Sequence, residues 1–392
     1  MSSSSSTAPL RDTLLKLCRR EDLTRDEARE AFAHIMSGDA TEAQIGGLLV
    51  GLAAKGTTVE ELVGAATVMR EKAVRIDCSE EGSAGGRSDG ATERRSDEGN
   101  GVQSAISNRQ SAISSSLNPE PRTLNPSEVI IDTCGTGGDV RGTFNISTAA
   151  ALIIAAAGVR VVKHGNRSAS SKSGSADVLE KLGVKLELPP AGLKKCLEAA
   201  GICFAFARYH HPAMKFVAAA RTSLGIPTIF NLLGPLTNPA RARHQLLGVF
   251  APELTDRLAT VLRELGSERA WVVNAHDGLD ELSTLGPTRV SELKVGHIHT
   301  WTLDPQTLGL PYARISDLQV ESVDQAAEML TRVIRGEKGP TRDIALLNAA
   351  AGLVISGQAL ELKDGLKLAG EAVDSGRAKT TLKKLVEASQ GE

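Results

Sequence analysis

Aromatic side chains and excess charge are both scarce in this chain of 392 residues. Only 3% of the residues are aromatic, and the formal net charge is -2 at pH 7. A near-neutral chain gives no electrostatic reason to expect binding to nucleic acid or to a membrane. The length allows a large core, and it favours two domains or one large domain with an appendage.

Paired cysteines and targeting segments are also missing. The five cysteines are scattered and include no C-x-x-C pair, which is typical of reduced thiols in a cytosolic protein. The serine-rich start has no basic stretch followed by an apolar one, as a secretory signal would. The longest apolar run, around Ala149 to Val162, is too short for a bilayer and is interrupted by Gly158 and Arg160. We therefore expect a soluble cytoplasmic protein.

Helix starts with one shared pattern follow the tail of residues 1–9. A Thr followed three residues later by Glu or Gln forms a capping box, and the pairs are Thr24 with Glu27, Thr41 with Gln44, and Thr58 with Glu61. An amphipathic helix is predicted over Leu10 to Cys18, and Gly38 and Gly56 fall at expected helix ends. The pattern predicts a small all-helical domain over residues 10–77.

Polar, low-complexity sequence occupies residues 78–127. Ser, Gly, Asn, Arg and Glu dominate, and Q-S-A-I-S occurs at both Gln103 and Gln110. Such a composition lacks the apolar residues that a core needs, so it predicts a disordered insertion. We expect no catalytic role for it; a regulatory or partner-binding role is the alternative.

Short apolar runs alternate with helical patterns over residues 128–392. The predicted strands are Val129–Asp132, Val159–Val162, Val184–Leu188, Ile202–Phe206, Leu246–Phe250 and Ala270–Val273. Helical patterns between most of them indicate an α/β domain with a central, mostly parallel sheet. Val290 to Leu303 predicts an antiparallel pair around Gly296, and helices are expected from Val323 to the C-terminus.

A glycine loop follows the first of these strands. The stretch Val129 to Asp139 reads V-I-I-D-T-C-G-T-G-G-D, and T-F-N-I-S then opens an alanine-rich helix that ends near Gly158. Glycine lets backbone N–H groups approach a phosphate, and a helix N-terminus adds partial positive charge. The pattern matches neither standard nucleotide-binding fingerprint, so a simple tight turn is an equal alternative to phosphate binding.

A second polar loop follows the next strand, from Lys163 to Asp177. It contains two glycines, five serines and three cations, which together could surround an anion. Parallel strands present their C-terminal loops at one edge of a sheet, where ligands bind. A merely solvated loop is the alternative interpretation.

These motifs together resemble the anthranilate phosphoribosyltransferase family. The resemblance rests on G-T-G-G-D, T-x-N-x-S, K-H-G-N-R-x-x-S-S-x-x-G-S-A-D, the run from Arg221 through Gly225 to Pro239, and Asp280-Glu281. It implies a helical domain hinged to the α/β domain, with some segments after Asp177 packing with the former, and a homodimer formed through the helical domain. The implied reaction transfers a phosphoribosyl group to anthranilate, a small-molecule substrate, in tryptophan biosynthesis.

The resemblance also assigns roles to single residues. Those implied to bind phosphoribosyl pyrophosphate are Gly135, Thr136, Gly137, Gly138, Asp139, Thr143, Asn145, Ser147, Thr148, Lys163 and Ser175. Those implied to bind anthranilate are Gly135, His164, Asn166 and Arg221. Arg208 and Pro227 depart from the usual family residues, which puts the shape of the anthranilate channel in question.

Magnesium is the implied metal. Mg²⁺ prefers a few carboxylates with phosphate oxygens and water, and Asp280, Glu281 and Ser147 are its implied ligands. Lys163 and the metal would stabilise charge, and no residue is expected to act as general base because an aromatic amine is already unprotonated.

Two rival functions remain open at this point. A pyrimidine nucleoside phosphorylase of related fold is disfavoured by Asp280-Glu281 and the complete glycine loop. A non-catalytic relative that binds nucleic acid is disfavoured by the near-neutral charge and by the presence of Asn166 and Arg221.

Overall fold

The computed structural model describes residues 8–78, 129–138, 141–168 and 172–391. Most of the predicted tail, almost all of the predicted insertion and Asp139 lie outside these described residues. The described residues up to Asp77 and from Val129 onward belong to one compact unit. None of the helices in the described ranges combines the length and the apolar character needed to cross a membrane.

The described residues before Asp77 form a helical bundle. Its helices are α1 Ala8–Cys18, α2 Arg25–Ile35, α3 Glu42–Lys55 and α4 Val59–Lys72. The last three begin with complete capping boxes, in which the Thr side chain and the later Glu or Gln side chain accept each other's backbone N–H groups. An N-cap of this type stabilises a helix by about 1 kcal/mol, so these starts are fixed locally.

The described strands of the second domain form one sheet. They are β1 Ile130–Gly135, β2 Arg160–Gly165, β3 Ile202–Phe206, β4 His244–Gly248, β5 Arg269–Ala275, β6 Thr288–Lys294 and β7 His297–Leu303. The order across the sheet is β3-β2-β1-β4-β5-β6-β7. The first five strands pair in parallel, and β6 and β7 add antiparallel pairs at one edge. This confirms the predicted mostly parallel sheet.

Helices connect and cover these strands. Their bounds are α5 Ile146–Ala156, α6 Ser175–Lys181, α7 Pro190–Ala200, α8 Ala207–His210, α9 Lys215–Leu224, α10 Ile229–Leu233, α11 Leu254–Glu264, α12 Val323–Ile334, α13 Pro340–Ile355, α14 Leu362–Asp374 and α15 Arg377–Gln390. The chain passes from β1 through α5 to β2 in one direction and from β4 through α11 to β5 in the other. Because such crossovers are right-handed, α5 and α11 lie on opposite faces of the sheet. The strand order therefore reverses between β1 and β4, the usual position of a ligand site.

The predicted strand Val184–Leu188 is wrong. The segment is irregular and pairs with no strand in the described part of the chain. The Lys185 N–H donates to Ser389 Oγ at 3.0 Å, so α15 satisfies part of its backbone. The edge of β2 is already occupied by β3. The apolar side chains of the segment are buried, which explains why its pattern resembled a strand.

The bundle shares its core with the α/β domain. One hydrophobic cluster includes residues of the bundle, of α9 and α10, and of β4, β5 and α11. The rings of Phe32 and Phe230 are 5.8 Å apart within it. After α4, the Val74 N–H donates to the His210 carbonyl at 2.8 Å, and His210 Nδ1 lies 2.8 Å from the Val74 carbonyl. The segment from α8 to α10 therefore joins the bundle to the sheet.

Candidate active site

The glycine loop after β1 lies at the C-terminal edge of the sheet. Gly137 and Gly138 have φ values of 67 and 90, a left-handed conformation that glycine adopts without strain. The Thr136 N–H donates to the Gly248 carbonyl at 2.9 Å and ties the loop to the end of β4. Asp139, which belongs to the same predicted motif, lies outside the described residues.

Asp280 lies across the ends of β1 and β4, where the strand order reverses. Its Oδ2 accepts a hydrogen bond from the Gly137 N–H at 2.9 Å. Gly135 and Gly248 are partners in the register of the two strands. A Cβ on Gly135 would lie 2.3 Å from Asp280 Oδ2, and one on Gly248 would lie 1.5 Å from the Asp280 carbonyl oxygen. The approach of Asp280 therefore requires glycine at both strand ends.

Glu281 reaches the start of α5. Its Oε1 accepts a hydrogen bond from the Ser147 N–H at 3.1 Å. The N–H groups in the first turn of a helix have no partner within the helix and favour negative charge. The loop after β5 thus contacts both elements predicted to bind phosphate, the glycine loop and the N-terminus of α5.

Lys163 places a buried ammonium next to the same helix start. The residue is 2% exposed, and its Nζ donates to the Thr133 carbonyl at 2.5 Å and to Ser147 Oγ at 3.1 Å. Burial lowers the pKa of Lys163, and the negative charge of Asp132 acts in the opposite direction. Two residues of the predicted site, Lys163 and Ser147, are therefore in direct contact.

Asp132 is a buried carboxylate that the sequence-based site did not include. It is 0% exposed and accepts hydrogen bonds from the His164 N–H at 3.1 Å and from Asn238 Nδ2 at 2.9 Å. Burial raises the pKa of Asp132 although these donors oppose the shift. The available signal was a carboxylate ending an apolar strand, since a buried charge needs partners.

Asn145 and Ser173 connect the two predicted loops. Asn145 Nδ2 donates to the Ser173 carbonyl at 3.3 Å, and the Ser173 hydroxyl donates to Asn145 Oδ1 at 3.2 Å. The Ser175 hydroxyl, at the start of α6, donates to the Asn166 carbonyl at 3.4 Å. The second loop therefore lies beside the start of α5, as the predicted site requires.

Two of the three cations in the second loop neutralise carboxylates. Arg167 forms ion pairs with Glu180 at 2.7 Å and with Asp177 at 2.9 Å, and both acids raise the pKa of Arg167. Lys172 pairs with Glu321. Of the three, Lys163 is the one whose ammonium contacts the start of α5.

Two predicted threonines near α5 differ in their surroundings. The backbone of Thr143 forms an isolated antiparallel β-bridge with Gln319. Thr148 is 1% exposed, and its Oγ1 has no hydrogen-bond partner among the described residues. Buried hydroxyls are usually satisfied, so this oxygen is available to a ligand or a water molecule.

The residues predicted to bind anthranilate lie on separate elements. Asn166 is exposed after the end of β2, and its Oδ1 accepts from the Arg167 N–H at 2.9 Å. Arg221 lies on α9 with its guanidinium carbon 5.1 Å from the centre of the Phe230 ring. Burial lowers the pKa of Arg221. Within the described residues Arg221 forms no ion pair, so its charge is not balanced by a carboxylate there.

His164 is buried beside a second histidine. It is 6% exposed, and its Nε2 lies 3.2 Å from His211 Nε2. Burial, together with His211 and His210, lowers the pKa of His164 well below its usual value, and the pKa of His211 is lowered to about 4. Both rings are therefore neutral at pH 7, and their Nε2 atoms lie within hydrogen-bond distance of each other.

The described residues contain no group of three or more His, Cys, Asp or Glu side chains arranged around a metal position. The oxygen donors of Asp280, Glu281 and Ser147 nevertheless suit Mg²⁺, which uses one or two carboxylates and completes its shell with phosphate oxygens and water. Ser147 and Glu281 already contact each other. The donor set fits a magnesium ion held jointly with a phosphorylated ligand.

Both parts of the chain match known family models. Residues 11–73 match the "Glycosyl transferase family, helical bundle domain", and residues 127–379 match the "Glycosyl transferase family, a/b domain". The fold and the candidate site together define a two-domain glycosyl transferase.

Relatives identify the group within that class. An anthranilate phosphoribosyltransferase of Parvibaculum lavamentivorans is 47% identical over 97% of this chain and 97% of its own. One from Thermoanaerobacter sp. (strain X514) is 43% identical over 96% of this chain and 98% of its own. The chain belongs to the anthranilate phosphoribosyltransferase family.

Solved structures agree in fold. The anthranilate phosphoribosyltransferase of Thermus thermophilus is 38% identical with a TM-score of 0.79, and the match covers 97% of this chain and 100% of that chain. The Saccharomyces cerevisiae enzyme, solved in complex with PRPP and Mg, is 25% identical with a TM-score of 0.79, and the match covers 98% of both chains.

Proposed function

We propose that this chain transfers the phosphoribosyl group of 5-phosphoribosyl 1-pyrophosphate to the amine of anthranilate. The bond between C1 of the ribose and the pyrophosphate oxygen breaks, and a bond from C1 to the amine nitrogen forms. The amine loses one proton to water, and the products are N-(5-phosphoribosyl)anthranilate and pyrophosphate. The observation that supports this best is the meeting of the glycine loop, the start of α5 and Asp280-Glu281 where the strand order reverses.

The phosphorylated substrate would bind to backbone N–H groups, hydroxyls and one ammonium. We assign this role to Gly135, Thr136, Gly137, Gly138, Asp139, Thr143, Asn145, Ser147, Thr148, Lys163 and Ser175. In the described residues the N–H groups of Gly137 and Ser147 donate to Asp280 and Glu281. A bound phosphate would take over such donors, because it is also an anion at a helix N-terminus.

The reaction requires stabilisation of the negative charge that develops on the departing pyrophosphate. Positive charge near the leaving group stabilises the transition state, and the buried ammonium of Lys163 beside Ser147 suits this role. Asp280, Glu281 and Ser147 would hold Mg²⁺ in this chain, as the family implies. The ion, when bound, neutralises pyrophosphate oxygens and orients them.

Anthranilate would be selected by a different set of residues. Arg221 would pair with its carboxylate, because a guanidinium forms two parallel hydrogen bonds to such a group. Asn166, Gly135 and His164 would line the remainder of the pocket. Arg208 and Pro227, the departures from the family pattern, are both exposed.

No residue is assigned the role of general base. The amine of anthranilate is unprotonated at neutral pH, so its nitrogen can attack directly. His164 and His211 are buried, and burial lowers the pKa of both rings. They are therefore uncharged and could line the pocket without acting as a base. Positioning of the amine then supplies much of the acceleration.

The helical bundle would also form a homodimer. Arg11, Leu14, Leu15, Cys18 and Gln44, on α1 and α3, line an apolar cavity of about 340 Å³. Leu15 on α1 is 44% exposed, and Val50 on α3 is 40% exposed. Exposed apolar surface of this kind is typical of a contact between copies. We place the enzyme in the cytoplasm, consistent with its free cysteines.

The loss of anthranilate fluorescence tests the proposed reaction. Purified protein with phosphoribosyl pyrophosphate and Mg²⁺ should consume the signal, and omission of any one component should abolish the loss. A preparation that leaves the fluorescence unchanged would refute the proposal. Phosphorolysis of thymidine or uridine by the same preparation would instead identify a nucleoside phosphorylase.

A further inference from the structure

A small polar cavity lies near the beginnings of β4 and β5, at the edge of the sheet opposite the candidate active site. Its volume is about 210 Å³, and Arg70, Arg241, Arg243, Gly266 and Ser267 are among the residues that line it. Arg70 comes from α4 of the bundle, whereas the other residues precede β4 or connect α11 to β5. The cavity is therefore separate from the candidate active site at the C-terminal edge.

Arg70 and Arg241 share this cavity without a shared carboxylate among the described residues. Arg70 Nε donates to the Leu236 carbonyl at 2.7 Å, and its Nη1 donates to the Leu265 carbonyl at 3.0 Å. Backbone carbonyls are dipoles and do not neutralise a full charge. Burial and the nearby charge of Arg241 accordingly lower the pKa of Arg70 to about 10.

Arg241 is an exposed residue that lines this cavity together with Arg70. Its guanidinium makes no hydrogen bond or ion pair with any described residue, although the backbone N–H donates to the Asn238 carbonyl at 2.9 Å. Its φ of 53 lies in the left-handed region. Non-glycine residues held in this region are concentrated at active sites and ligand-binding positions, so the backbone conformation of Arg241 favours a ligand-binding role.

The other two arginines, Arg70 and Arg243, have a structural role at the C-terminal end of α11. Arg243 Nε donates to the Gly266 carbonyl at 3.2 Å and Arg243 pairs with Glu268 at 2.7 Å, so its charge is balanced. Arg70 and Arg243 thus satisfy carbonyls after α11, as basic residues at helix ends commonly do. This explanation does not extend to Arg241, whose exposed guanidinium contacts no carbonyl or carboxylate among the described residues.

We infer that the cavity binds a small phosphate-class oxyanion between the guanidinium groups of Arg70 and Arg241. Ser267 also lines the cavity and carries a hydroxyl that could serve as a further donor. Guanidinium groups pair with phosphate oxygens through two parallel hydrogen bonds. A bound anion would link α4 of the bundle to the chain entering β4. The inference does not depend on the proposed reaction.

Crystals soaked in tungstate, an analogue of phosphate with strong anomalous scattering, test the site directly. We expect an anomalous peak between Arg70 and Arg241 in the wild-type protein and in the control Arg335→Gln, which removes an exposed arginine from the C-terminal cap of α12. The peak should disappear in Arg241→Gln and return in Arg241→Lys. Absence of the peak in the wild type, or its persistence in Arg241→Gln, would overturn the inference.

Phosphate titration by calorimetry gives the affinity in solution. Arg241→Gln should weaken binding at this site by roughly 10-fold or more, because a charge-assisted hydrogen bond is lost. Equal affinities for wild type and Arg241→Gln would contradict the inference. A tungstate peak found only at the glycine loop would also contradict the inference. The fluorescence assay tests the transferase reaction separately.

Discussion

Gly248 leaves the space through which the backbone of Asp280 passes the end of β4. Gly248→Ala would place a Cβ 1.5 Å from the Asp280 carbonyl oxygen, so the loop must move. A displacement of about 1 Å at a catalytic site can reduce the rate roughly 100-fold, and we expect a loss of that order in kcat/KM. Steady-state kinetics of the purified variant give the measurement.

Gly286→Ala is the matched control for this change. Nothing lies within 4 Å of a Cβ at Gly286, and its φ is outside the left-handed region. Its activity should remain near that of the wild type. Normal kinetics in Gly248→Ala would show that the position of Asp280 does not matter to the reaction.

Arg221 offers a test of substrate assignment. Arg221→Ala removes a guanidinium that, in the proposed site, pairs with the anthranilate carboxylate. Hydrogen bonds to charged groups contribute about 1.5–3 kcal/mol, so KM for anthranilate should rise roughly 10- to 100-fold. The KM for phosphoribosyl pyrophosphate serves as the internal control and should change little. Equal increases in both constants would mean that Arg221 has been assigned to the wrong substrate.

The order of the strands predicted that the glycine loop and the second polar loop lie at one edge of the sheet, and the family resemblance added Asp280; neither predicted how the charges are used. The glycine loop and Asp280 do come together through the Gly137 N–H. The pairing of Arg167 with Glu180 and Asp177 was not predicted, because it depends on where α6 places its acids. Gly248 lay inside a predicted strand, where a glycine can signal a close backbone approach, yet the approaching group comes from a distant loop.

The loop after β5 contacts two separate elements through adjacent carboxylates. The double variant Asp280→Asn, Glu281→Gln keeps the size of both side chains and removes both charges. We expect activity to fall steeply, because Mg²⁺ prefers carboxylate oxygens, and higher anthranilate concentrations should not restore it. Activity titrated against Mg²⁺ gives the measurement, and an unchanged magnesium dependence would refute the metal assignment.

Helix starts and the hairpin around Gly296 were predictable because they are local, whereas the pairing of a segment with a distant strand was not. The Thr41–Gln44 capping box forms within four residues, so its sequence determines its structure. Val184–Leu188 has the apolar pattern of a strand, but pairing requires a vacant neighbouring edge. Because β3 pairs with β2, the segment packs against α15 instead, which no local pattern could show.

Buried histidines make the folded chain as a whole sensitive to acid. Burial lowers the pKa of His211 and of His244 to about 4, against about 6.5 in an unfolded chain. The unfolded state then binds more protons between these values, so stability is complete above about pH 6.5 and declines as the pH falls towards 4. At about 1.4 kcal/mol per pKa unit, the stability lost at low pH is roughly 3.5 kcal/mol for each histidine.

Urea unfolding at a series of pH values measures this effect. The free energy of unfolding should fall steadily below about pH 6.5, and His244→Gln should flatten part of the decline. His297→Gln, at an exposed position of β7, is the control and should leave the profile unchanged. A wild-type free energy that is constant down to about pH 4.5 would contradict the expected role of the buried rings.

Association of two chains would bury the apolar face of α1 and α3. Leu15→Glu places a charge on this face, and an unpaired buried charge strongly opposes association. We expect the variant to elute as a monomer in light-scattering chromatography and the wild type as a dimer. Leu360→Glu, at a side chain that is 93% exposed elsewhere, is the control. A monomeric wild type would exclude the proposed dimer.

Helix α5 is packed so completely that it restricts how the molecule can move. All of its residues except Ser147 are buried, and it contacts α12, α13, α14 and α15 as well as the sheet. Its amide protons should therefore exchange with solvent only when the domain unfolds as a whole. The start of α5 therefore gives a bound phosphate a rigid support, and closure around a substrate would have to come from elements other than α5.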